Sequence, residues 1–233
     1  YIEFDYLCAT TLTYFFLDLL IEEIKAKMNL RDYLIYVLLA TVCDVMPIRK
    51  LNRIIALNAL KNFDIKKNLP FNTLFELNNR KNKIDINDLG YLIGPILNAG
   101  GRLGKSQYAT ELLSSNNHHI IKDRANLLIK LNDKRKEIET LILNEIDFQK
   151  IEKQNKEVII YYNPNINEGI IGIIAAKLKD YFNKPSIVIT RSNDLLKGSA
   201  RSVYDYNIGR VIKNLLDKNI ILNGGGHNMA AGF

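Results

Sequence analysis

The fold is decided by the stretch VIIYYNPNINEGIIGIIAAKLKDYF, residues 158–182. Its first five residues are β-branched or aromatic, which is typical of a buried strand. Residues 169–182 carry apolar side chains at helical spacing, on a segment rich in glycine and alanine. Strand patterns at 186–190 and 195–203 and a helical pattern at 208–218 follow. Strands that alternate with helices predict a small α/β domain in this part of the chain.

The part of the chain before this domain has mainly helical patterns. Residues 7–28 carry an apolar stripe at helical spacing, and residues 33–43 are almost wholly apolar, as in an element buried on all sides. Residues 118–154 contain neither glycine nor proline and have charged residues opposite their apolar positions, which predicts one long helix of the kind that connects domains. We therefore predict domains at 1–117 and 155–233, joined by this helix.

Length and composition limit the class of protein. The chain has 233 residues, 47% of them apolar, so it can form a packed core and is not globally disordered. Its net charge of +7 favours a polyanionic partner, although coding bias towards lysine could produce the same excess. Cys8 and Cys43 lie in apolar surroundings without a disulfide framework. With no membrane-spanning stretch and no signal peptide, we expect a cytoplasmic protein.

Three segments combine small residues with a basic side chain. They are LNAGGRLG at 97–104, KGSARS at 197–202 and GGGHNMAAGF at 224–233. Glycines can take φ > 0 and aim successive N–H groups at one point, as in a phosphate-binding nest. We predict glycine-rich turns at the first and third segments, with His227 poised over a phosphate and a helix starting where the third segment ends. Each segment alone is more typical of an ordinary turn, but three such segments in one basic chain favour a ligand-binding role.

Three other features have a chemical and a structural interpretation. Asp44 follows an apolar run and precedes Pro47, so it could bind a hard cation or cap a turn, and the spacing alone favours the turn. His118 and His119 are adjacent and would point in different directions on a helix, which favours a solvated helix start over a metal site. Residues 169–172 could present backbone N–H groups to an anion, or could allow a helix to pack tightly against a strand.

Five segments together resemble the RecJ family of single-strand-specific exonucleases, in the DHH phosphoesterase superfamily. They are ATVCDVMP at 40–47, NAGGR at 98–102, GIIGIIA at 169–175, GSARS at 198–202 and GGHNMAAG at 225–232. The resemblance covers nearly the whole chain, in order and spacing. It implies an α/β protein in which the C-terminal part of a DHH domain, mostly helical here, is joined by a long helix to a DHHA1 domain truncated at its C-terminal end.

The resemblance also implies a site and a reaction. Asp44 would be a catalytic ligand to Mn²⁺ or Mg²⁺ in a two-metal site, and His227 would be a second catalytic residue. The substrate-binding residues that it implies are Asn98, Arg102, Ser199, Arg201, Ser202, Gly225 and Gly226. Paired ions would polarise the phosphodiester and deprotonate water, while Arg and His neutralise the developing charge. The implied partners are single-stranded DNA and a single-strand-binding protein, and no membrane partner is implied. The enzyme would be a monomer that acts in DNA repair and recombination.

The sequence departs from the family pattern at three places. The family's aspartate motifs and its Asp-His-His motif are expected before Tyr1, and its oligonucleotide-binding domain after residues 225–232. Asn167 stands where the family usually has His. We therefore expect an internal fragment that is inactive alone, with most metal ligands outside this chain. The alternatives are a DHH-family phosphodiesterase of short oligonucleotides or cyclic dinucleotides, and a decayed, non-catalytic nucleic-acid-binding module.

Overall fold

The computed structural model describes residues 4–233 of the chain. The chain forms two compact units. The first extends to Gly100 and includes Ser106–Lys130, and the second contains Gly101–Lys105 and Leu131–Phe233. Within the described residues, no helix is long and apolar enough to cross a bilayer. The predicted fold class, a helical part followed by a small α/β part, is confirmed.

The first unit is built from helices. Its α-helices are α1 (Ala9–Glu23), α2 (Leu34–Cys43), α3 (Lys50–Asn62), α4 (Leu69–Leu77), α5 (Gly94–Leu103), α6 (Gln107–Ser114) and α7 (His118–Glu145), of which α5 and α7 continue into the second unit. Short 3₁₀ turns lie at Leu30–Tyr33 and Ile65–Lys67, and a π-helical turn lies at Asp88–Ile93. As predicted, α2 is buried on several sides, with Ile35 and Leu38 packed against Phe71 of α4 in one core.

Helix α1 leaves much of its apolar stripe exposed. The predicted apolar stripe does form a helix, but Phe16 is 63% exposed and Leu19 is 67% exposed. Thr11 is the one residue of this helix that is buried. Helical spacing therefore predicts the element correctly, whereas the described residues do not cover its apolar face.

The second unit contains a five-stranded mixed sheet. After the end of α7 its elements are α8 (Phe148–Lys153), β1 (Ile159–Tyr162), α9 (Ile171–Phe182), β2 (Ser186–Ser192), β3 (Leu195–Arg201), α10 (Ile208–Asp217), β4 (Gly225–His227) and β5 (Ala230–Gly232). The strand order is β1-β2-β3-β5-β4, with β1 parallel to β2 and all other neighbours antiparallel. Strand β1 lies at an edge with Ile160 62% exposed, so it is less buried than its sequence predicts.

The two faces of the sheet are covered by different helices. Val188 of β2 packs with Ile174 of α9 in one apolar cluster. Its neighbour Ile187 points to the other face, where it packs with Ala200 of β3 and Ile212 of α10 in a second cluster. We call these surfaces the α9 face and the α10 face. Because side chains alternate along a strand, this assignment fixes the face on which every other residue of the sheet lies.

The single long helix predicted over residues 118–154 is divided in two. Helix α7 begins at His118 as expected, but it ends at Glu145, and α8 begins at Phe148. The side chain of Asp147 accepts a hydrogen bond from the backbone N–H of Lys150 at 2.9 Å. An Asp that binds the backbone in this way caps a new helix instead of continuing the previous one. The prediction of one uninterrupted helix was therefore wrong.

Candidate phosphate-binding site

The last row of the sheet carries Arg201 and His227 on the same face. Arg201 of β3 is paired with Ala230 of β5, and Ala230 is paired with His227 of β4. Residues directly opposite each other on antiparallel strands place their side chains on one face. Two strand spacings separate the backbones of the outer two residues by about 9–10 Å. Because Ala230 contributes only a methyl group, no large side chain stands on the sheet between the two basic side chains.

This row lies on the α9 face, beside the first turn of α9. A β-carbon placed on Gly172 would lie 2.9 Å from Nη2 of Arg201 and 3.0 Å from Oγ of Ser199. Both side chains therefore reach the N-terminal end of α9. Ser199 is paired with Gly232, which is paired with Gly225. A β-carbon on Gly225 would meet no atom within 4 Å, so the surface of the sheet is unobstructed there.

The guanidinium of Arg201 is held in place by its own strand. Its Nη1 donates to the carbonyl oxygen of Ala200 at 2.8 Å and to Oγ of Ser199 at 3.2 Å. Burial lowers the pKa of Arg201, but an arginine stays charged at every physiological pH. A fixed guanidinium and the N-terminal turn of a helix both attract anions. This arrangement can therefore bind a phosphate group.

Arg102 and Arg135 bring two more guanidinium groups to the same region of the second unit. Nη1 of Arg102 donates to the carbonyl oxygen of Gly169 at 2.9 Å. Burial lowers the pKa of Arg102, and the positive charges of Arg135 and Arg201 lower it further, while Glu139 opposes the shift. The guanidinium of Arg102 is thus close enough to those of Arg135 and Arg201 to be repelled by them. A bound anion would relieve this repulsion, which favours an anion site.

Arg135 is fixed by residues of its own helix. Its Nε donates to Oδ1 of the buried Asn132 at 3.2 Å, and its Nη1 donates to Oε2 of Glu139 at 2.8 Å. Nζ of Lys177 lies 3.8 Å from the other carboxylate oxygen of Glu139. Arg135 and Glu139 were not predicted as site residues from the sequence. Their spacing of four on a helix is the signal that could have found the pair.

His227 and Gly226 lie in a strand and not in a loop. His227 is exposed at the end of β4, where the chain turns through residues 228–229. A β-carbon on Gly226 would lie 2.4 Å from Cβ of Ala231, and one on Gly209 of α10 would lie 2.8 Å from the carbonyl carbon of Gly226. Among the described glycines none has positive φ, so the predicted nest was wrong. The expected helix start is also replaced, by β5.

Ser202 and Asn98, two of the predicted substrate-binding residues, have different surroundings. Ser202 is 1% exposed, and its hydroxyl donates to the carbonyl oxygen of Tyr206 at 2.5 Å. Its backbone N–H donates to the carbonyl oxygen of Met229 at 3.0 Å, so Ser202 links two loops. Asn98 is exposed on α5, in the first unit. The glycine-rich turn predicted at 97–104 is in fact helical up to Leu103, which corrects that prediction.

Asp44 lies at the C-terminal end of α2. The N–H of Met46 donates to the carbonyl oxygen of Thr41 at 2.9 Å, and the N–H of Val45 donates to that of Val42 at 3.1 Å. These bonds close the helix as a Schellman motif, with Val45 in the left-handed region at φ 55°. The exposed Asp44 carboxylate is therefore not needed to close the turn. Within residues 4–233, no three His, Cys, Asp or Glu side chains are grouped to hold a metal ion.

Comparison with known protein sequences finds relatives that share one name. Residues 155–233 match the family model described as the DHHA1 domain. The single-stranded-DNA-specific exonuclease RecJ of Haemophilus influenzae is 35% identical over 228 residues, covering 94% of this chain and 40% of that protein. The RecJ of Escherichia coli is 34% identical over 215 residues, covering 88% of this chain and 37% of that protein. The chain thus spans about two fifths of the length of these curated relatives.

Comparison with solved structures supports the same fold. The structure of RecJ from Thermus thermophilus in complex with Mn²⁺ has a TM-score of 0.78 at 22% identity, covering 92% of this chain and 31% of that one. Its complex with Mg²⁺ has a TM-score of 0.77 at the same identity, covering 92% of this chain and 33% of the other. The chain is therefore similar to RecJ proteins over most of its own length, shares their fold, and matches the DHHA1 domain at residues 155–233.

Proposed function

We propose that this chain supplies the DNA-backbone-binding part of a metal-dependent exonuclease that acts on single-stranded DNA in repair and recombination. The observation that carries the proposal is the gathering of Arg102, Arg135 and Arg201 in the second unit, with Arg201 beside the first turn of α9. The relatives, which are named as single-stranded-DNA-specific exonucleases, support the choice of substrate. The net charge of +7 favours the same polyanion.

In this proposal the side chains of the last sheet row bind consecutive parts of the DNA backbone. Arg201 donates to phosphate oxygens, with Ser199 and the backbone N–H groups at the start of α9 as further donors. Arg102 and Arg135 neutralise neighbouring phosphates, while Glu139 limits the repulsion between the guanidinium groups. We assign Gly225 to the unobstructed sheet surface over which the backbone passes. Gly226, which packs closely against Ala231, and Ser202, whose hydroxyl is bound to Tyr206, are proposed to position the other residues.

His227 is proposed to act on the phosphate that is cleaved. Its ring is exposed on the α9 face and can donate a hydrogen bond to a phosphoryl oxygen, which gains strength as charge develops in the transition state. In the first unit, Asp44 is proposed as a ligand to Mn²⁺ or Mg²⁺ and Asn98 as a substrate-binding residue. One carboxylate does not hold a pair of ions, so the metal-assisted step is not assigned to this chain alone.

The test is the salt dependence of binding to an oligothymidylate. Each phosphate contact contributes about −0.7 to the slope of log affinity against log salt for a single strand. Arg201→Ala should weaken binding and make the slope shallower by about 0.7. Arg210→Ala removes an exposed arginine from α10, on the opposite face, and should leave the slope unchanged.

Two results would change this proposal. Arg102, Arg135 and Arg201 together are called the arginine site. A folded Arg201→Ala protein with unchanged affinity and slope would remove the DNA-binding role of this site. If a dinucleotide bound as tightly as the long strand, the substrate would instead be a short oligonucleotide or cyclic dinucleotide, in keeping with a different DHH-family phosphodiesterase.

A further inference from the structure

We infer that Tyr204 stacks on a nucleobase of single-stranded DNA whose backbone is bound at Arg201. The inference rests on the proposed function and assigns to that site a base-binding residue. Tyr204 is 90% exposed, although it is a large aromatic side chain. It lies in the loop that connects the end of β3, at Arg201, to the start of α10.

The loop presents Tyr204 on a rigid support. The backbone N–H of Tyr206 donates to the carbonyl oxygen of Val203 at 3.2 Å, which makes Tyr204 a central residue of a tight turn. The turn is tied down on one side by Ser202, whose N–H donates to Met229 and whose hydroxyl donates to Tyr206. An aromatic ring on a fixed turn can stack with little loss of conformational entropy.

The other end of the loop is fixed as well. Oδ1 of Asn207 accepts a hydrogen bond from the backbone N–H of Arg210 at 2.9 Å and so caps α10. Nδ2 of Asn207 donates to Oδ1 of Asn228 at 2.7 Å, and the N–H of Ile208 donates to the carbonyl oxygen of Asn228 at 3.2 Å. The loop with Tyr204 is thereby joined to the turn that follows His227.

Both loops emerge from the row that carries the basic side chains. Arg201 is the last residue of β3 and His227 is the last residue of β4. Tyr204 follows Arg201 by three residues, so their α-carbons are at most about 10–11 Å apart. Met229, which follows His227 by two residues, is 44% exposed and adds apolar surface to this end of the sheet. The phosphate-binding row and two exposed apolar side chains therefore lie at the same end of the sheet.

The charges in the loop favour a base over a phosphate at Tyr204. Asp205 is the next residue in the turn, and its carboxylate repels a phosphate group. Arg201, three residues earlier, attracts one. A strand bound with its backbone at Arg201 therefore turns its uncharged bases towards the loop. Stacking on an aromatic ring tolerates every base, as a single-strand nuclease needs.

The first experiment uses the whole 233-residue chain and an oligothymidylate. The chain has no tryptophan, so Tyr204→Trp introduces the only tryptophan, whose fluorescence DNA should quench. Tyr204→Ala should weaken binding about fivefold or more, the factor given by the lower end of base–aromatic stacking energies, whereas Tyr204→Phe should bind normally. Tyr162→Ala is the matched control, because Tyr162 is 53% exposed on β1, at the opposite edge of the sheet from β4.

The second experiment separates bases from backbone. An abasic strand keeps the phosphates, so the parent and Tyr204→Ala should bind it equally and show the same salt slope. A loss of affinity that is as large on abasic DNA, or a slope that changes, would overturn the stacking role. If Arg201→Ala weakens binding while Tyr204→Ala does not, the phosphate site stands and the role of Tyr204 alone falls. If Arg201→Ala has no effect, the proposed function and this inference fall together.

Discussion

The arginine site and the region around Asp44 differ in how completely each is built. In the second unit each of the three guanidinium groups of the arginine site has a fixed partner: Arg102 donates to Gly169, Arg135 to Glu139, and Arg201 to Ala200 and Ser199. In the first unit the Asp44 carboxylate is exposed, and backbone hydrogen bonds alone close the turn beside it. One region is organised for a ligand, and the other provides a single group.

This difference follows from the chemistry of the two ligands. A guanidinium carries its own charge and its own donors, so hydrogen bonds within one unit are enough to orient it for a phosphate. A divalent ion needs several oxygen ligands that converge from different parts of a chain. Elements of one compact unit can therefore form an anion site, whereas Asp44 alone cannot form a metal site.

The largest expected effect concerns activity with metal. We expect the 233-residue chain to release no nucleotides from single-stranded DNA above background in the presence of Mn²⁺, because its described residues group no metal ligands. Nucleotide release is measured for the parent and for Asp44→Ala. Turnover by the parent that Asp44→Ala abolishes would show that the Asp44 region is as complete as the arginine site.

The next largest effect is expected when one glycine from each unit is replaced by alanine, and stability and DNA binding are compared. A β-carbon on Gly169 would lie 2.3 Å from the carbonyl oxygen of Arg102, and one on Gly94 would lie 2.5 Å from Sγ of Cys43. Overpacking of this kind costs about 1–3 kcal/mol, so both alanine variants should melt several degrees lower. Gly169→Ala should also weaken DNA binding roughly tenfold, because Arg102 is displaced. Equal DNA affinities of the two variants would contradict the assignment of the site to the second unit.

A smaller effect is expected when the carboxylate among the arginines is neutralised. Glu139→Gln removes a negative charge beside Arg135 and Lys177, so single-stranded DNA should bind about two- to fivefold more tightly. The free energy of unfolding should fall by roughly 1–2 kcal/mol, since Arg135 loses a charged partner. Glu137→Gln makes the same change of charge on an exposed position of α7 and is the control. Weaker DNA binding by Glu139→Gln would argue against an anion at this cluster.

The smallest effect is the pH dependence of stability near Asp44. Burial raises the pKa of Cys43 above its ordinary value of 9.0, and the charge of Asp44 raises it further. The unfolded state therefore loses this proton first, so the stabilising contribution is complete below pH 9.0 and is lost as pH rises through the folded pKa. In urea unfolding the parent should lose more stability between pH 8 and pH 10 than Cys43→Ala. Asp44→Asn should recover part of that loss, and no recovery would mean that the Asp44 charge is already neutralised.

The strongly periodic segments were predictable from the sequence, and the reason is local. The helices now seen as α9 and α10 have apolar residues at helical spacing, and the segments now seen as α2 and β2 are apolar runs whose burial the sequence indicates. The sequence could not show that α1 keeps residues such as Phe16 exposed, because burial depends on distant partners. The break between α7 and α8 depends on one hydrogen bond of Asp147, which a period does not reveal.

The glycine-rich segments show why the candidate site was harder to predict. Glycines at 100–101 and 225–226 suggested turns, yet they lie in a helix and a strand. Gly226 is needed because Ala231 is close across the sheet, a neighbour that sequence spacing does not indicate. Arg102 and Arg201 were singled out by such segments, whereas Arg135 lies in an ordinary charged helix and was found only when the fold brought the three together.

The position of β5 has a consequence for how this protein folds. β5 lies between β3 and β4 and pairs with both, so it closes a loop of about 30 residues back to β3. Such non-local pairing is slower than the formation of local helices. The row of Arg201, Ala230 and His227 does not exist until β5 is inserted. During refolding, helix signals should therefore recover first, and the capacity to bind DNA should appear last, as a reporter of the finished sheet.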